Sequence, residues 1–153
     1  MRLTTKGRYA VTAALDLALH GEAGPVNLAD ISRRQGISQA YLEQLFGKLK
    51  RAGVVGSARG PGGGYRLASI PERVSVSDII GAVGEGMDAT RCGGAGDCQD
   101  GEVCLTHELW SDLSQQIDFF LSRITLASLL QRRDVMHVSR RQDGENLIDA
   151  RIL

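Results

Sequence analysis

The stretch Val54-Val55-Gly56-Ser57-Ala58-Arg59-Gly60-Pro61-Gly62-Gly63-Gly64-Tyr65-Arg66-Leu67-Ala68 decides the fold. β-branched and aromatic residues at its two ends predict short strands over 54–57 and 65–68, joined through a glycine-rich turn. A phosphate-binding loop is the rival reading of so many glycines. It fails because no Gly-Lys-Ser/Thr ending is present and no helix start follows. A two-stranded hairpin directly after a helix is instead the wing of a winged helix. Its glycines let the tip at Gly60 and Pro61 lie close to a phosphate backbone, and Arg59 suits a narrow minor groove.

Upstream of the wing the pattern predicts two helices in tight succession. Ser38 is an N-cap for a helix over 39–52, with Gly53 as its stop. Asn27, with Asp30 three residues later, resembles a capping box for a shorter helix that ends at Gly36. Only Ile37 separates that end from the next cap, so the pair reads as a helix-turn-helix rather than a generic helical hairpin. An earlier helix over 8–20 carries Val11, Ala14, Leu15 and Ala18 as one apolar stripe.

In the helix over 39–52, Leu42, Leu45, Phe46 and Leu49 share the core face. The opposite face carries Ala40, Glu43, Gln44, Gly47, Lys48 and Arg51. Small and amide side chains there can approach base edges, and the cations beyond them suit phosphates. Gly47 costs roughly 1 kcal/mol against alanine in a helix interior, consistent with close approach to another backbone. Glu43 is an unusual companion for DNA: it accepts a hydrogen bond from cytosine N4 and is otherwise repelled. It therefore reads either as a residue that excludes wrong operators or as a salt-bridge partner of Lys48 or Arg51.

Downstream of the wing, Ser75 and Asp78 cap a helix through about residue 83, whose buried side is Val76, Ile79, Ile80 and Val83. A glycine-rich stretch without apolar periodicity follows, and a loop of that length needs a reason to be ordered. The reason lies in Cys92, Cys98, Cys104 and His107, spaced C-x5-C-x5-C-x2-H. The three cysteines fall within thirteen residues, an odd and clustered set that is unlike a secreted disulfide framework. Zinc sites usually pair their cysteines two to four residues apart, whereas wide spacings suit wrapping a larger object. Three thiolates and an imidazole suit a [2Fe–2S] cluster, with affinity that depends on pH because only neutral imidazole binds. A structural zinc site and redox-active thiols are the alternatives. His20 and His137 stand apart from the cysteines and read as surface residues.

A long helix over about 105–123 carries Leu109, Leu113, Ile117, Phe120 and Ile124 at steps of four, four, three and four. Trp110 and Leu121 broaden that stripe beyond what one small domain buries, so it reads as a self-association helix. Thr125 caps a short last helix through Leu130. From residue 132 onward the chain is polar and weakly periodic, and partial disorder is expected.

Charge divides along the same line. Residues 1–75 hold 11 Lys/Arg against 5 Asp/Glu, and residues 76–153 hold 7 against 13. A basic half beside an acidic half suggests a polyanion-binding module joined to one with another task. The expected organisation is a winged helix-turn-helix over 1–75, a cluster loop and dimerisation helices over 76–131, and a polar tail over 132–153. The fold class is mainly α with a small β-wing (α+β). At 153 residues, 42% hydrophobic, the chain suits one compact domain or two small lobes sharing a core. No apolar run approaches the ~20 residues a membrane span needs, nor does the N-terminus read as a signal peptide. A cytoplasmic location and no membrane partner are expected.

The runs MRLTTKGRYAVTAALDLA, LADISRRQGIS and RGPGGGY and the loop C-x5-C-x5-C-x2-H resemble the winged-helix family of iron–sulfur cluster regulators. The likeness covers roughly residues 1–130, and the matching histidine makes it specific in the loop; the tail carries no motif of the family. It implies a homodimer that is not an enzyme and represses iron–sulfur biogenesis genes when its [2Fe–2S] cluster is present. The cluster-free form would still bind some double-stranded operators, and cluster donor proteins would be partners. By the same resemblance Cys92, Cys98, Cys104 and His107 are the ligands, and Ser38, Ala40, Tyr41, Glu43, Gln44 and Arg59, with Gly60 and Pro61 beside it, face DNA. An iron–sulfur carrier or electron-transfer protein is the rival from another class, but it leaves the wing and the basic half without a role.

Overall fold

The structure is a computed structural model that describes residues 3–152, with side chains described from 3 to 144. Its elements are α1 (Thr5–His20), α2 (Leu28–Gln35), α3 (Gln39–Arg51), β1 (Val55–Ala58), β2 (Gly64–Leu67), α4 (Val76–Ala82), α5 (His107–Ser122), α6 (Leu126–Leu130) and α7 (Arg133–Ile152). A single 3-10 turn, Pro71–Arg73, joins the hairpin to α4.

Local chemistry sets most of the boundaries. The Asp30 N–H donates to the Asn27 side chain at 2.8 Å, and Gly36 ends α2 in the left-handed region at φ 67°. The Tyr41 N–H donates to Ser38 Oγ at 3.2 Å, starting α3 two residues after that glycine. Ser75 with Asp78 and Thr125 with Ser128 form complete capping boxes.

The strands pair antiparallel, Val55 opposite Leu67 and Ala58 opposite Gly64. Val26 bridges the other edge of β2, its N–H and C=O bonding the Tyr65 C=O and N–H at 2.9 and 2.8 Å. A Cβ at Gly64 would collide with the Val26 carbonyl, so that close approach requires glycine.

One core runs through the molecule. Ala10, Ala13, Ala14 and Leu17 of α1 pack with Ile31, Leu42, Leu45, Phe46 and Leu49, and with Ile79, Val83 and Leu126 from the later helices. Backbone bonds from Val76 N–H to the Ile124 carbonyl (2.8 Å) and from Leu126 N–H to the Val74 carbonyl (2.9 Å) tie α6 beside α4. α5 is the exception: Leu109, Trp110, Leu113, Phe119 and Phe120 are exposed, and only His107 is buried.

The tail, where the sequence leads to an expectation of partial disorder, carries α7. A helix runs over Arg133–Ile152, and its part with described side chains docks on α2 and α6 and reaches α1 at His20. Val135 and Val138 line a groove of about 350 Å³ with Val11, Leu15, Leu19 and Leu129, while Ser139 is buried. Polar side chains at Gln142 and Asp143 complete the contact, so the segment shows only weak apolar periodicity. Side chains after residue 144, which also belong to that expectation, lie outside the described residues.

Candidate metal centre and nucleic-acid interface

Polar local bonds shape the loop between α4 and α5. Asp88 accepts from the Thr90 N–H (2.7 Å) and hydroxyl (2.6 Å), which hold its carboxyl below the usual range. Thr90 Oγ1 in turn accepts from the Gly94 N–H at 2.7 Å, and the Ala89 N–H donates to Ser114 Oγ of α5 at 2.7 Å. Further on, Gln99 and Glu102 exchange backbone bonds of 2.9 and 2.8 Å around Asp100 and Gly101, both at positive φ. An Asp-Gly pair is suited to such a two-residue turn, and this small hairpin turns the chain back between Cys98 and Cys104.

Three of the four expected ligands meet. The ligand atoms of Cys92, Cys98 and His107 lie within 4.8 Å of one another. His107 Nδ1 is 3.5 Å from Cys92 Sγ and 3.6 Å from Cys98 Sγ. Cys104 falls just outside that group but adjoins it twice: its N–H donates to Cys98 Sγ at 2.9 Å, and its thiol is hydrogen-bonded with that of Cys98. His107 is the first residue of α5, so the helix fixes the imidazole while the loop brings the sulfurs to it.

The electrostatics suit thiolates. Burial pushes the Cys92 thiol up, but bonds from the Gly96 N–H, Thr90, the Gly94 N–H and Cys98 outweigh it and lower the thiol to about 6. Cys104 is lowered by its hydrogen bond with Cys98 and by the Thr106 backbone. Burial and the two neighbouring sulfurs push Cys98 up, despite the Cys104 N–H. A set of sulfurs this close loses protons most readily when a cation shares them. The donors present therefore fit a metal ion or cluster.

At the helix-turn-helix, the N-cap Ser38 and Ala40, Glu43 and Gln44 of α3 are exposed. Tyr41 is half-buried and packs edge-on against Tyr9 at 6.0 Å between centroids, so it also joins α3 to α1. Arg59, Gly60 and Pro61 are exposed at the wing tip, where the Gly63 N–H donates to the Gly60 carbonyl at 2.9 Å. Lys50 Nζ donates to Ser57 Oγ at 2.7 Å and braces the hairpin against α3.

Sequence reasoning missed the loop's scaffold, although Asp88-x-Thr90 carries an Asx-turn signal. It also missed a buried network at the end of α1. Asp16 is 1% exposed and accepts from Arg34 at 2.7 and 3.0 Å and from Gln35 at 2.7 Å. The available signal was a lone carboxylate beside Leu17, Ala14 and Ala13.

The sequence model of the Rrf2 family, described as iron-dependent transcriptional regulators, matches residues 3–132. The chain belongs to the Rrf2 family. Among its relatives, the HTH-type transcriptional regulator IscR of Vibrio cholerae is 58% identical over 152 residues, 99% of this chain and 88% of that protein. Of solved structures, T. potens IscR superposes with TM-score 0.71 at 40% identity, covering 86% of this chain and 87% of that one. CymR, the global cysteine regulator of B. subtilis, superposes with TM-score 0.73 at 32% identity, covering 84% and 95%. This Rrf2 member is thus a winged-helix transcriptional regulator and not an enzyme. No helix among its described residues is long and apolar enough to cross a membrane.

Proposed function

We propose that the chain is a dimeric, cytoplasmic repressor of iron–sulfur cluster biogenesis genes whose operator binding is set by a [2Fe–2S] cluster. The observation that carries this is the convergence of Cys92, Cys98 and His107 at the start of the exposed apolar helix α5. Cys104, one bond away through Cys98, supplies the fourth ligand. Relatives at 58–59% identity bear the name IscR, which supports the same reading.

Cys92, Cys98, Cys104 and His107 would hold a cluster, which when bound would supply redox-active iron and added charge; the chain's own residues do the rest. Backbone N–H groups of Gly96 and Cys104 aimed at Cys92 and Cys98 stabilise the thiolate form. Ser38, Ala40, Tyr41, Glu43 and Gln44 face the operator's major groove, while Arg59, Gly60 and Pro61 follow its backbone and minor groove. Exposed Leu109, Leu113 and Phe120 form a stripe that a second α5 covers, since a soluble monomer rarely leaves such a run bare. Linkage gives the regulation: a cluster that favours one DNA-bound arrangement raises DNA affinity by the same factor that DNA raises cluster affinity. Cluster donor proteins load the site.

A single zinc ion is the second reading, favoured by how compactly Cys92, Cys98 and His107 gather. An absorption spectrum of anaerobically purified protein, with iron, sulfide and zinc analysis, separates the two. Visible bands with equal iron and sulfide, and operator affinity that changes on cluster removal, are expected. Colourless protein holding one zinc per chain would overturn the proposal.

A further inference from the structure

α7 lies beyond the residues that the family model matches, yet it is bonded to the helix-turn-helix. Gln142 and Gln35 exchange two amide bonds of 3.0 Å, and the second N–H of Gln35 goes to Asp16. One residue on, Asp143 Oδ1 lies 3.0 Å from His20 Nε2. The other ring nitrogen, Nδ1, lies 2.9 Å from the Asp16 carbonyl and 3.4 Å from Asp16 Oδ1.

Both ring nitrogens therefore face oxygens that only accept. A neutral imidazole has one N–H and one lone pair, so it can satisfy one side and must oppose the other. Nδ1 sits inside the turn of its own helix and keeps its hydrogen on the Asp16 carbonyl. The contact with ionised Asp143 then needs a second proton. Around the ring, α1 contributes Asp16, α2 contributes Arg34 and, beyond it, Asp30, and α7 contributes Asp143 and the neutral Gln142. Arg34 stays charged: burial lowers it, but its bond and charge pairing with Asp16 more than compensate. His20 is left as the group that a second proton would turn into a cation, at a helix C-terminus that favours one.

We propose that docking of α7 on the helix-turn-helix is proton-dependent, with His20 joining Asp16 to Asp143 only as an imidazolium. Protonation closes the clamp, and deprotonation turns an attractive contact into a lone-pair repulsion. Because Gln35 precedes the Gly36 turn into α3, the clamp braces the element that presents the reading face. It needs neither the cluster nor DNA, and so stands apart from the function proposed above.

Hydrogen exchange of α7 amides in the full chain at pH 5.5 and 8.5, corrected for intrinsic rates, tests it. Since Asp143 is half exposed, wild-type protection should fall only about two- to fivefold across that interval. Asp143→Asn should abolish the pH dependence while keeping α7 docked, because its amide can donate to a neutral Nε2. His20→Ala should give protection that is low and independent of pH. Flat protection in wild type, or an unchanged slope in Asp143→Asn, would overturn the proposal.

Discussion

The winged-helix lobe and the ligand loop are both well defined, for opposite reasons. In the lobe, Ala10, Ala13, Leu42, Phe46 and Leu49 are fully buried, and apolar burial holds the helices together. Between 84 and 106 no residue is buried, and order comes from Asp88–Thr90, the Gln99–Glu102 hairpin and the Ala89–Ser114 tie. Each such exposed polar bond contributes about 1 kcal/mol at most. The lobe can therefore keep its shape whatever the loop holds, and the loop can respond to a ligand without unfolding the lobe. A sensor needs that separation, while α4 and His107 of α5 link the two regions.

The largest effect should come from the lobe. Phe46 is fully buried and packs edge-on against Tyr65 at 4.9 Å between centroids. Phe46→Ala should cost about 3–5 kcal/mol in denaturant unfolding followed by circular dichroism. A small cost there would break the contrast, because the lobe would then not depend on burial.

Cys98→Ala should give the converse result. The visible chromophore disappears completely, yet unfolding free energy changes by only about 1 kcal/mol, the scale of the lost Cys104 bond. Failure to recover a soluble, folded dimer would mean that the bound metal is structural, as in small zinc domains.

Glu43→Ala should leave stability unchanged and alter only the choice of operator. Glu43 is exposed, and among the described residues it forms no ion pair with Lys48 or Arg51. Without its carboxylate, cluster-free protein should gain severalfold affinity for any operators that, under the proposed function, wild type binds only with cluster. Titration against both operator kinds checks this; a uniform loss without a change in ranking would return Glu43 to a structural role.

Most of the lobe was legible because its signals are local. Caps at Asn27, Ser38 and Ser75, the stop at Gly36 and the i, i+3, i+4 run of Leu42, Leu45 and Phe46 act within one or two turns of backbone. The wing was legible for the same reason, with strand ends shifted by one residue. The identity of the sulfur and imidazole donors was equally plain from spacing. Their arrangement was not, since it depends on a turn at Asp100-Gly101 and on where α5 begins.

What the sequence by itself determined is thus the winged helix, the composition of the donor set and the uncovered stripe of α5. Only the tertiary structure decided that Cys92, Cys98 and His107 gather most closely, that Asp16 is a buried hub, and that α7 is a docked helix. The physical reason is range. His20 and Asp143 are 123 residues apart, and Gln35 and Gln142 are 107 apart. A polar side chain at such a distance gives no periodic trace of its partner. Its burial becomes favourable only once the apolar core has brought both ends together.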